Sequence, residues 1–210
     1  MAVLLRTSAA VAIALVASAL PYALSQVRAA PTPSSAAELR DPSHFIGIAD
    51  APTRSVALFE EAVKVFQHPR CVNCHSASDQ PRQTDRMRPH QPLVVRGADG
   101  TGAPGMACGT CHGAANADAA RTPGAPRWQL APASTALEGR SAAQICAQIK
   151  DPARNGNRDI AAILDHVATD DLVIWAWLPG AGRAPPPGTS TTFAALMRAW
   201  AETGAHCPPS

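Results

Sequence analysis

Large rings are scarce in this sequence. Aromatic residues make up 4% of its 210 positions, with a single tyrosine. A chain of that length forms about one ordinary domain, and with so few aromatic side chains its core needs some other bulky apolar filling. Charge is scarce too: 16% of residues are charged and the formal net charge is +2. No basic tract interleaved with aromatics occurs, which argues against nucleic acid as a partner. Strand signals are missing, and beyond the N-terminus no stretch is long and apolar enough to span a bilayer. What the chain has instead is proline and glycine, 20 and 14 residues, within a composition that is still 46% hydrophobic. That combination predicts a folded, loop-rich protein rather than a disordered one.

The N-terminus reads as a targeting segment. "MAVLLR" carries a positive charge at Arg6, "SAAVAIALVASAL" is an uncharged apolar run, and "ALS" at residues 23–25 suits a small-residue cleavage site. Residues 1–25 are therefore predicted to be a secretory signal peptide. The alternative is a retained membrane anchor, because residues 7–27 lack charges; contact with a membrane is expected only in that case. Pro21 and the small residues favour cleavage, and in a bacterial chain export means the periplasm.

Six cysteines in an exported chain could form three disulfides. Their spacing points elsewhere. "RCVNCHSAS" holds Cys71, Cys74 and His75, and "ACGTCHGAA" repeats the arrangement with Cys108, Cys111 and His112. C-x-x-C-H is the attachment signature of c-type haem. The two thiols add to the two vinyl groups of the porphyrin, and the histidine that follows turns its imidazole to the iron. The competing reading is a zinc site built from both pairs. The histidine directly after the second cysteine, twice over, and the export signal favour two covalently bound haem c groups. Cys71, Cys74 and His75 are expected to hold haem 1, and Cys108, Cys111 and His112 haem 2, with His75 and His112 as proximal iron ligands. Two large flat apolar cofactors would also supply the missing core filling. Cys146 and Cys207 remain, an even pair in an oxidising compartment, and are predicted to form a disulfide.

The rest of the chain reads as short helices separated by irregular segments. Residues 26–52 look like an Ala/Pro/Ser-rich tether, leaving residues 53–210 as the domain. Val56, Phe59, Val63 and Phe66 share one helix face just before the first motif. Ser141 with Gln144 forms a capping-box pattern at the start of a second helix that runs to Lys150. "NRDIAAILDHVA" and "DDLVIWAWLPG" predict a third and a short fourth. Phe193, Leu196, Met197 and Trp200 predict a last one that starts near Ser190 and stops at Gly204. Residues 76–107 and 113–140 are expected to be mostly irregular. The fold class is all-α: a loop-rich dihaem cytochrome c, with short helices packed around two covalently attached haems.

Each iron then needs a sixth ligand, and three histidines are the candidate distal ligands. His90 stands in "RMRPHQP", where Pro89 and Pro92 stiffen the loop. His166 lies at the border of the third helix's apolar stripe. His68 is too close to Cys71 to reach round its own haem, but could serve the other. His44, His206 and Met87 are weaker candidates. Met197 fits a core role better, and Met106 sits too near Cys108 to reach the far side of haem 2. Arg82, Arg86, Arg88 and Arg96 cluster between the motifs, where they would either pair with haem propionates or remain solvated. Histidine outnumbers loop methionine, so His/His ligation on at least one haem and a comparatively low potential are expected.

Several stretches taken together, "HPRCVNCH", "RPHQPLVVRGADGTGAPGMACGTCHG", "WQLAPAS", "ICAQIKDPARNG" and "WAWLPGAGRAPPPGT", resemble a family of small exported dihaem proteins often labelled "isoquinoline 1-oxidoreductase subunit". The resemblance spans about residues 55–208. It implies a partnership with a molybdenum hydroxylase that oxidises N-heterocycles, although the sequence has no molybdopterin or iron–sulfur signature of its own. The expected function is a periplasmic dihaem electron carrier that serves a redox partner protein. The alternative is a small peroxidase-like dihaem enzyme with one iron coordination site left open.

Overall fold

The computed structural model describes residues 38–210. The expected signal segment and residues 26–37 of the expected tether lie outside the described residues. Six helices follow one another: α1 (Ala51–Phe66), α2 (Pro69–Val72), α3 (Ala142–Ile149), α4 (Ile160–Thr169), α5 (Asp171–Trp175) and α6 (Ser190–Glu202). Among the described residues no helix is long and apolar enough to cross a membrane.

Local chemistry explains where these helices begin. The Asp50 carboxylate accepts from the Thr53 backbone N–H and Pro52 sits in the first turn, so α1 starts there. At α3 the capping box forms in both directions: Ser141 accepts from the Gln144 backbone and Gln144 accepts from the Ser141 backbone. Asp159, Asp170 and Thr189 cap α4, α5 and α6 in the same way. At the far end of α6, Gly204 takes φ +103, a conformation that side chains disfavour, and the Ala205 N–H turns back to the Trp200 carbonyl.

α6 packs on α1 and α4, and the seam between them is the core. Phe59 and Trp200 lie with ring centres 5.1 Å apart, and Phe66 meets Phe193 edge-on at 5.1 Å. Met197 is fully buried there, as a core role requires. Ser55 joins the two helices: its hydroxyl donates to the Trp200 carbonyl and accepts from the His206 N–H. The Cys146–Cys207 disulfide is present, with Cα atoms 5.5 Å apart, and fastens the C-terminal tail to α3.

Two expectations need correction. The domain begins before residue 53. Leu39 and Phe45 are buried, and Arg40 clamps the buried Glu61 through its backbone N–H and guanidinium at 2.6–2.9 Å. The Ala/Pro/Ser composition of residues 26–52 conceals these three anchors. Strands are not absent either: β1 (Arg82–Gln83) pairs with β2 (Arg88–Pro89), and β3 (Gly102–Ala103) with β4 (Met106–Ala107), both antiparallel. Two-residue strands are too short to show a period-2 pattern. The second hairpin turns at Pro104–Gly105, with Gly105 at φ +79, the arrangement a type II turn demands.

Glu61 provides a test of the tether correction. Burial pushes its carboxyl up, but hydrogen bonds from the Arg40 side chain and backbone and from Lys64 outweigh burial and hold it below its ordinary value. A carboxyl lowered in the folded state stabilises the fold above its unfolded value, about 4.3, and loses that contribution as pH falls. Wild-type urea midpoints are therefore expected to drop on acidification below that value, and Glu61→Gln to flatten the drop. An unchanged pH profile in the variant would remove Glu61 from the account.

Candidate functional site

The two C-x-x-C-H segments fold alike although their surroundings differ. His68 ends the first helix in extended conformation and accepts from the Arg70 N–H, so that α2 restarts at Pro69 and carries Cys71. The second motif enters from β4 on a 3-10 turn, Cys108–Thr110. In both, the second cysteine's N–H donates to the first cysteine's carbonyl at 3.2 Å and the histidine's N–H to the same carbonyl at 3.0 Å. A turn of this kind sends positions i, i+3 and i+4 to one side, so two thiols and an imidazole face the same space.

Each imidazole is then oriented in the same manner. His75 Nδ1 donates to the Thr135 carbonyl at 2.7 Å, and His112 Nδ1 donates to the Pro123 carbonyl at 2.7 Å. A ring that donates from Nδ1 leaves an Nε2 lone pair free, the form in which histidine binds metal. Burial lowers the pKa of both, that of His75 to about 4, against the opposing effect of the carbonyl bonds. Both rings are thus neutral near pH 7. Burial pushes the Cys71 and Cys74 thiols up to about 12 and about 11. A disulfide oxidoreductase needs a C-x-x-C thiolate with a lowered pKa, and this site does the opposite. All four motif cysteines are free thiols.

The first motif opens into a cleft walled by apolar side chains of α1, α3, α4, α5 and α6, among them Phe66, Ile149, Ile163, Val173 and Phe193. His166 of α4 lines the same cleft as Cys71, Cys74 and His75. Its Nδ1 lies 3.3 Å from the Asp170 carboxylate one turn on, and the bond from His166 holds that carboxyl down to about 2. His166 therefore also presents a free Nε2.

The second motif opens into a cleft lined by Cys108, Cys111 and His112 together with Arg82, Arg121, Arg183 and His90. His90 Nδ1 donates to the Pro92 carbonyl at 3.0 Å. Its ring centre is 6.0 Å from that of His112, with the planes at 63°. A metal held between two Nε2 atoms at bonds of about 2.0 Å spaces the ring centres about 6 Å apart.

The remaining candidates lie elsewhere. His68 caps α2 and lines neither cleft. His44 and His206 are exposed, and Met87 lies in the β1–β2 turn with φ +50. Met106 does border the second cleft. Of the arginine cluster, Arg82 lines the second cleft and pairs with Glu138 at 3.0 Å. Arg96 is buried and ties loops together through the Ser76, Ser78 and Ala131 carbonyls. Arg86 and Arg88 are exposed and line neither cleft.

Sequence reasoning missed Arg70. It is 95% buried (5% exposed), lines both clefts, pairs with Asp85, and has a buried Nε with no partner. Its place directly before Cys71 was the only available signal. Thr135 and Pro123, which orient the histidines through backbone carbonyls, left no sequence signal. Asp170 did leave one, as a carboxylate four residues after His166, just past the end of its helix. Among the described residues no three His, Cys, Asp or Glu side chains converge as a preformed metal cage.

No protein-family model, curated protein or solved structure matches the chain.

Proposed function

We propose that the protein is a dihaem c-type cytochrome, an exported one-electron carrier with bis-histidine ligation at both irons. The observation that carries this reading is the pairing of histidines. Each C-x-x-C-H segment shares its cleft with a second histidine, and all four rings have Nδ1 engaged and Nε2 free. At the second cleft, the 6.0 Å between ring centres matches the span of a metal between two imidazoles. The chain's residues fit the group in other respects. The apolar walls of the first cleft suit a porphyrin face, and the orphaned Arg70 Nε suits a propionate.

When bound, haem supplies a one-electron iron couple. The chain's own residues would do the rest. Cys71, Cys74, Cys108 and Cys111 hold the macrocycles, and His75 with His166 and His112 with His90 set the ligand field. The Thr135 and Pro123 carbonyls would fix the proximal tautomers, and the Asp170 carboxylate would fix that of His166. The supply of a second histidine in each cleft supports a carrier over a peroxidase-like enzyme with an open iron site. The Cys146–Cys207 disulfide is in keeping with an oxidising compartment. On the family resemblance, the electron donor is an oxidoreductase such as a molybdenum hydroxylase.

Haem stoichiometry tests the reading. Protein matured in a periplasm competent for haem attachment should carry two covalent haems by denatured-state absorbance and intact mass. Cys71→Ala/Cys74→Ala and Cys108→Ala/Cys111→Ala should each remove one. A mature protein that carries zinc and no haem would end the proposal.

A further inference from the structure

The two clefts share a wall. Trp128 and Trp175 line both of them, and so do Cys74 and Arg70. Trp128 lies flat on His112, with ring centres 4.7 Å apart and planes 9° apart. Trp175 meets Trp128 edge-on at 4.8 Å and 86°. The pair is held in place from outside: Trp175 Nε1 donates to Asn116 Oδ1 at 2.9 Å, the Gly124 N–H donates to the same oxygen at 3.0 Å, and Asn116 Nδ2 donates to the Leu178 carbonyl at 2.9 Å. The chain has only four tryptophans, and two of them stand here rather than in the helical core. Packing alone would be served by aliphatic side chains, which this chain has in plenty.

We propose that Trp128 and Trp175 form the electron-transfer bridge between the two haem sites, an inference that rests on the dihaem reading above. Tunnelling decays more steeply across empty space than through atoms in contact. The path from His112 to Trp128 to Trp175 is a run of contacts that begins on an iron ligand of the second site and ends in the wall of the first. One electron leaves ferrous iron at one site and reduces ferric iron at the other. Both tryptophans are unchanged, no bond is made or broken, and no proton moves. The first electron comes from an external one-electron donor.

The test uses holoprotein half-reduced with dithionite, dilute enough to suppress exchange between molecules. The readout is the set of paramagnetically shifted haem methyl resonances in the proton NMR spectrum. In the wild type, fast exchange between the sites should average the two one-electron microstates. Trp128→Leu should lose that averaging and show the microstates as separate resonances, while Trp128→Phe, which keeps a flat ring on His112, should retain it. Averaged resonances in Trp128→Leu, or separate ones already in the wild type, would overturn the bridge. Should Trp128→Leu fail to fold, Trp175→Leu carries the same expectation, and averaging there overturns the bridge equally. Covalent haem is counted in every sample. A wild type without two haems refutes the dihaem reading itself, whereas two haems with undisturbed averaging refute only the bridge.

Discussion

His90→Ala is expected to turn one of two low-spin haems high-spin while both stay attached. The reason is geometric. His90 faces His112 across 6.0 Å with its Nδ1 tied to the Pro92 carbonyl, so on the bis-histidine reading it completes the coordination of the second iron. Its removal leaves that iron five-coordinate or water-bound, and the ferrous form then binds carbon monoxide, which a filled sixth position resists. Cys108 and Cys111 are untouched, so the haem count does not change. His166→Ala should do the same at the other site. The double variant should bind two equivalents of carbon monoxide and lose the low-spin EPR signals altogether. The histidine planes at the second site stand at 63°, far from parallel, so the low-spin signal lost in His90→Ala should be a strongly anisotropic one. If His90→Ala keeps two low-spin haems and stays inert to carbon monoxide, His90 is a loop residue hydrogen-bonded to its own turn.

The second large effect concerns the fold itself. Cys146→Ala/Cys207→Ala opens a loop with a sequence separation of 61. In the chain-entropy account, closing such a loop stabilises by about 4 kcal/mol. Domains of this size have a total of about 5–15 kcal/mol, so the loss is about a quarter of the stability or more. At about 2–4 °C per kcal/mol for chains of this length, the midpoint of thermal unfolding should fall by roughly 10 °C, read by far-ultraviolet circular dichroism. The disulfide is not the tail's only attachment. The Lys150 ammonium donates to the Ala205 carbonyl at 2.8 Å, and the His206 N–H donates to Ser55, so the tail should stay docked in the variant at low temperature. A midpoint within 2–3 °C of wild type would mean that the reduced chain is already held near its native path.

The helices were legible because they obey local rules. Apolar residues at helical spacing marked α1, α4 and α6, the Ser141–Gln144 box marked the start of α3, and Gly204 marked the end of α6. The boundary near residue 52 was misread because composition cannot show that Leu39, Phe45 and Arg40 have partners waiting on α1. The hairpins around Thr84–Met87 and Pro104–Gly105 were missed for a related reason: two residues per strand leave no period to detect.

The site divides along the same line. The sequence by itself determined the repeated cysteine–cysteine–histidine turns, because that spacing is local and places three side chains on one side of a single turn. On the dihaem reading it also narrowed the candidate distal ligands to a few histidines. Only the tertiary structure separated these histidines by place: His166 lies in the cleft of His75, His90 within 6.0 Å of His112, and His68 serves as a helix cap. It alone decided that Thr135, sixty residues on, orients His75, that Arg70 is buried between the clefts, and that two tryptophans from separate segments form their common wall. These contacts join positions far apart in the chain through loops without periodicity. No local propensity encodes them; they follow from how the loops satisfy their backbone hydrogen bonds once the helices have packed.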